Sequence, residues 1–134
     1  MNKTFKKITA SIMAATSLAV SMVGMSANAV YWNNAYGKAT GTSNTTTWST
    51  TGSPTFRKVT ARTTITNAVP YIYAKIEGYV NNNLVLDGEN TAQNSTVSVA
   101  ERASQNYVNS SVTGNGTHAI WSSSLTRINH YSYF

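Results

Sequence analysis

Hydrophobic and polar residues alternate along much of this chain with a period of two. Val59, Ala61, Thr63 and Ile65 alternate with Thr60, Arg62, Thr64 and Thr66, the spacing expected of a half-buried strand. The clearest run is residues 71–80. There Ile72, Ala74, Ile76, Gly78 and Val80 share one face, and Tyr71, Tyr73, Lys75, Glu77 and Tyr79 share the other. Residues 67–70 read as a break, Asn81-Asn82-Asn83 as a turn, residues 84–86 as a short strand and Asp87-Gly88 as a further turn. Residues 96–101, 107–113, 118–122 and 125–133 read as further strands, with Gly114-Asn115-Gly116 as a turn. Short strands at this spacing predict an all-β domain, a small antiparallel β-sandwich of about six or seven strands, with a small barrel as the alternative.

The first part of the chain has a different pattern. Lys3, Lys6 and Lys7 precede an apolar, small-residue stretch over residues 8–25, which ends in Ala27-Asn28-Ala29. A positive n-region, an apolar core and a small-x-small site are the parts of a cleavable secretory signal. The core is too short and too rich in hydroxyls for an anchor, which takes about 20 predominantly apolar residues. The expected organisation is a signal helix over residues 1–29, cleaved after Ala29 with Ala27 in the second small pocket. A Ser/Thr/Gly-rich segment, loop or edge strand, follows over residues 30–55, and the sandwich domain over residues 56–134. The product is expected outside the cell or on its surface, with no transmembrane segment in the mature chain.

Composition supports this and narrows the chemistry. Serine, threonine and asparagine make up 42 of the 105 residues from Val30 onward, joined by eight tyrosines and three tryptophans, with no cysteine in the chain. Threonine, tyrosine and valine suit a pleated surface, and asparagine and glycine suit its turns. The leader takes three of the ten basic residues and none of the four acids, so a formal charge of +6 falls to +3. That charge is compatible with an anionic envelope surface. It lacks the clustered basic stripe of a nucleic-acid binder.

Few groups are available for catalysis. The acids are Glu77, Asp87, Glu89 and Glu101; Asp87 and Glu89 read as turn surface, which leaves Glu77 with Glu101 as the one carboxylate pair for glycoside hydrolysis. His118 and His130, twelve residues apart and without cysteine, are a thin metal set and read as strand histidines on partly exposed surface. No Gly-x-Ser-x-Gly elbow is present. The residues therefore point to a non-catalytic protein without cofactor or metal, with a minor hydrolase as the rival from another class. The tyrosine face is the binding candidate: Tyr71, Tyr73 and Tyr79, with Lys75 between them, can stack on sugar rings or anchor a protein. A cell-wall glycan or another envelope component is the matching partner.

Trp32-x-x-x-Tyr36-Gly37 after the leader, Tyr73-Ala74-Lys75 within a strand, and the ending Tyr131-Ser132-Tyr133-Phe134 together resemble the secreted bacteriocins of the lactococcin 972 type. These are small, cysteine-free, β-rich proteins exported by Gram-positive bacteria. The resemblance implies an antibacterial action on cell-wall synthesis in competing cells.

Overall fold

The computed structural model describes residues 25–26, 29–49, 51–52 and 54–134. Of the expected leader helix over residues 1–29, only Met25–Ser26, which are strand, and Ala29 are among them; the rest, with its Ala27 position, lies outside the described residues. Seven strands follow in chain order: β1 (Met25–Ser26), β2 (Val30–Asn34), β3 (Gly37–Trp48), β4 (Phe56–Val80), β5 (Asn83–Ser104), β6 (Thr113–Trp121) and β7 (His130–Tyr133). All pairings are antiparallel. The expected all-β class is present. Among the described residues no helix is long and apolar enough to cross a membrane.

Two strands are far longer than the sequence pattern suggests, and they fold the single sheet over on itself. The first half of β4 pairs with β3 and with the second half of β5, while its second half pairs with the first half of β5 and with β6. The register between β4 and β5 jumps from Thr64–Val97 to Val69–Ser95. On β5 the same corner carries Asn94 at φ 49°. A bulge of this kind bends a strand and increases its twist. The break expected at residues 67–70 is thus a corner inside a continuous strand. It produces two facing layers. One is built from β2, β3, the first half of β4 and the second half of β5; the other from the first half of β5, the second half of β4, β6 and β7.

The alternation read in β4 holds. Val59, Ala61, Ile72, Ala74 and Ile76 all point inward and are buried. They contribute to two apolar clusters, one of Val59, Ala61, Ala74, Ile76, Leu86, Ala100 and Val112, the other of Ala39, Ile65, Val69, Ile72 and Ile120. Between the clusters lies a polar band. Thr63 Oγ1 donates to the Tyr73 carbonyl at 2.7 Å and lies 2.8 Å from His118 Nδ1. His118 Nε2 is 2.7 Å from Ser132 Oγ, which is 2.7 Å from Ser43 Oγ. Thr63 and Ser43 belong to one layer, His118 and Ser132 to the other, so this chain of hydrogen bonds ties the layers together.

The imidazole needs room, and the hydroxyl- and glycine-rich tract supplies it. A Cβ at Gly41 would collide with the His118 ring. Residues 37–48, compositionally a tract of small residues, form strand β3 because small side chains are what fit beneath a ring from the opposite layer.

Several expected turns are not turns. Asp87-Gly88 and Gly114-Asn115-Gly116 lie inside β5 and β6. A Cβ at Gly88 would sit 3.0 Å from the Glu101 carbonyl oxygen, so this glycine permits close approach of the layers. The turn expected over Asn81-Asn82-Asn83 is present but shorter: Asn81 and Asn82, both with positive φ, make a two-residue turn, and Asn83 already pairs with Val80 as the start of β5. The strand expected at residues 107–113 is replaced by a 3-10 turn, Gln105–Tyr107, capped by Ser104. The Arg57 guanidinium holds it by donating to the carbonyls of Tyr107, Val108 and Ser110. The last strand is only His130–Tyr133, since residues 122–129 form a loop.

Burial pushes the His118 ring down to about 4 from an ordinary 6.5, and His130 adds to the effect. Folding favours the neutral ring. Its contribution to stability is therefore complete above pH 6.5 and is lost as pH falls towards 4. Denaturant titrations at neutral pH and near pH 4 are expected to differ by about 3 kcal/mol more for the wild type than for His118→Gln. Equal pH dependence in both would contradict a buried neutral ring. Gly41→Ala is expected to destabilise the fold by about 1–3 kcal/mol or more, the usual cost of overpacking, measured by the same titration at pH 7.

Candidate functional site

The second layer has an outer face whose composition follows from register. Tyr71, Tyr73, Lys75, Glu77 and Tyr79 project outward from β4, because their neighbours Ile72, Ala74, Ile76 and Gly78 are turned into the core. Beside them β6 places Trp121, Ala119, Thr117, Asn115 and Thr113. On the other side β5 places Gln93, Thr91, Glu89 and Asp87. β7 adds Tyr131 opposite Thr117 and Tyr133 opposite Asn115. All four residues predicted from sequence, Tyr71, Tyr73, Tyr79 and Lys75, therefore lie on one face. From Tyr71 to Tyr79 is about 26 Å along the strand at roughly 3.3 Å per residue.

The aromatic rings are organised. Tyr71 stacks on Trp121, with centroids 5.3 Å apart and planes 10° apart. Tyr73 meets Trp121 at 6.4 Å and 60°. Tyr131 and Tyr133 are about half exposed, at 48% and 55%, whereas Tyr73 is 7% exposed. Tyr73 is thus a supporting wall, and Tyr71, Tyr131 and Tyr133 are the rings open to a partner. The Tyr73 hydroxyl donates to Glu89 Oε2 at 2.9 Å. Burial first, then this carboxylate, pushes the phenol up to about 12.

The charged residues here are held in place by one another. Lys75 Nζ bonds Glu77 Oε1 at 2.7 Å, and Asn115 Nδ2 donates to Glu77 Oε2 at 3.3 Å. The lysine holds the Glu77 carboxyl below its ordinary range, and the carboxylate raises the lysine in turn. Glu77 is therefore a poor general acid near neutrality.

Glu77 and Glu101 are not brought together. Glu101 lies on the other layer, buried, 3.7 Å from Lys58 Nζ and accepting from Thr60 Oγ1 at 3.3 Å. Burial raises its carboxyl despite Lys58. The two histidines are cross-strand neighbours; His130 is a partly exposed strand residue as expected, whereas His118 is not. His118 is fully buried rather than partly exposed, and both its ring nitrogens are engaged by Thr63 and Ser132. His130 stacks on Trp32 with centroids 4.1 Å apart. This stack closes the edge where β2 faces β7. A hollow of about 230 Å³ adjoins it, lined in part by Ile120, Leu125 and Ile128. That is below the roughly 300 Å³ at which small-molecule pockets begin.

Sequence reasoning missed Trp121, Glu89 and Arg127. The first two join the tyrosines only through strand pairing. The third comes from the 122–129 loop, and its guanidinium carbon lies 4.4 Å from the Tyr73 ring centre and 4.7 Å from that of Trp121. Absorbance titration should show one tyrosine still protonated at roughly pH 11, where an unperturbed phenol has largely ionised. Glu89→Gln should lower its midpoint only in part, since burial remains. Eight tyrosines ionising together would contradict the arrangement.

Comparison of this chain with protein-family models, with curated proteins and with solved structures gives no match in any of the three. The functional reading rests on the geometry of this face.

Proposed function

We propose that this is an exported, non-catalytic binding protein that lays the outer face of its second layer on a cell-wall glycan. The observation that carries this reading is the parallel, stacked Tyr71–Trp121 pair on a sheet face, flanked by the exposed Tyr131 and Tyr133. The apolar side of a sugar ring stacks on such rings, and the polar groups between them give orientation. Lys75, Glu77, Asn115, Thr117, Thr91 and Gln93 supply those polar groups. The length of the tyrosine row suits an extended chain of sugars better than a single ring. Export is the part of the reading that comes from the leader: Lys3, Lys6 and Lys7, the apolar core and Ala27-Asn28-Ala29.

The test is sedimentation with purified bacterial cell walls. The variant Tyr71→Ala/Tyr131→Ala/Tyr133→Ala removes three open rings and leaves the buried Tyr73 wall intact. Losing two or more stacking contacts, each worth about 0.5–1.5 kcal/mol, is expected to weaken binding about tenfold or more. Tyr31→Ala, which removes an exposed ring from the other layer (74% exposed), should bind as the wild type does. Unchanged binding by the triple variant, with its circular dichroism spectrum preserved, would refute the reading.

A further inference from the structure

The aromatic corner of this face already holds a cation. Arg127 reaches from the loop over both Tyr73 and Trp121, within the roughly 6 Å at which a ring's negative face attracts positive charge. The corner is backed by Tyr71, stacked on Trp121, and rimmed by Glu89, which anchors the Tyr73 hydroxyl. Its surroundings favour positive charge. Glu77, Asp87 and Glu89, three of the four acids present from Val30 onward, share this face with Lys75. With Arg127 in place, three carboxylates face two cations; without it, they face one.

The side chain of Arg127 is placed to leave. It is exposed, on a stretch without regular secondary structure. Its guanidinium donates to Asn129 Oδ1, two residues away, at 3.3 Å. The loop has anchors of its own: Leu125 packs against the core, Ser122 N donates to the Leu125 carbonyl, and Leu125 N donates to Ser122 Oγ. Swinging the arginine out breaks none of these.

We propose that the Tyr73–Trp121 corner is a subsite for the protonated amine of an unacylated amino sugar, and that Arg127 occupies it in the free protein as a displaceable internal ligand. The inference rests on the glycan-binding reading of the same face and assigns its sugar chemistry. An ammonium entering the corner takes over the ring faces, beside the Glu89 carboxylate, as the guanidinium swings into water. An N-acetylated nitrogen carries no charge and gains nothing from this exchange. The face accordingly discriminates between glycans by the acylation of their nitrogen, and Arg127 sets the threshold.

Calorimetric titration at low salt and mildly acidic pH, with a glucosamine hexasaccharide and its fully N-acetylated counterpart, separates the possibilities. For Arg127→Ala, and for Arg127→Gln, which keeps bulk without charge, the amine oligomer should bind about tenfold tighter than to wild type. Adding Glu89→Gln should reverse most of the gain. The acetylated oligomer should change less than about twofold across the set, small against the tenfold step of 1.4 kcal/mol. Amine binding that is unchanged or weaker in both Arg127 variants overturns this inference. The glycan reading then survives if the acetylated oligomer still binds and loses affinity on Tyr71→Ala. Binding of neither oligomer by any variant, each folded by thermal denaturation, overturns both.

Discussion

One imidazole in the wrong place for a sandwich core governs how this fold is put together. His118 sits between the layers with no exposed surface, and an unpaired polar ring there would cost several kcal/mol. Thr63 and Ser132 satisfy it, and Ser43 extends the chain into the facing strand. The small residues of β3 follow from the same demand, since Gly41 must leave space for the ring. The apolar clusters on either side can then close. Such a band adds little net stability compared with an apolar core, but it fixes which residues face one another.

This dependence explains what could and could not be read from the sequence. Both halves of β4 were legible because apolar and polar positions alternate with a period of two over Val59 to Ile65 and Tyr71 to Val80, although Lys58, Thr60 and Tyr73 on the opposite side are buried as well. The expected tyrosine and lysine face followed directly. The corner between the halves was legible as a break but not as a bend, because a register shift is a property of two strands. Glycines misled in a consistent way. Gly88 and Gly114 suggested turns, yet one admits a carbonyl from across the sandwich and the other lies against the Glu77 carbonyl and the Phe134 ring. The Ser/Thr/Gly-rich segment over residues 30–55 read as a loop or edge strand, because the partner for which its strand β3 must leave room, His118, is invisible locally. Trp121, Glu89 and Arg127 needed the pairing to be known before they joined the site.

The outer face of the second layer combines features that rarely coincide by sheet-forming preference alone. A tyrosine row is common in strands, but here a tryptophan is stacked on its first member and an arginine covers the corner. Three carboxylates and a lysine fill the remaining rows. The face is aromatic and chemically varied; the hollow beside Trp32 and His130 is small, about 230 Å³, and a larger one of about 450 Å³ is lined by Tyr31, Trp32, Lys38 and Thr40.

The proposed glycan face is tested most directly by chemical-shift mapping of the isotopically labelled protein with soluble cell-wall fragments. Shifts should concentrate on Tyr71, Tyr79, Trp121, Arg127, Tyr131 and Tyr133, with Trp32, Trp48 and Tyr31 unmoved. Shifts centred on the Trp32–His130 edge or on the opposite layer, or none at saturating fragment, would contradict it.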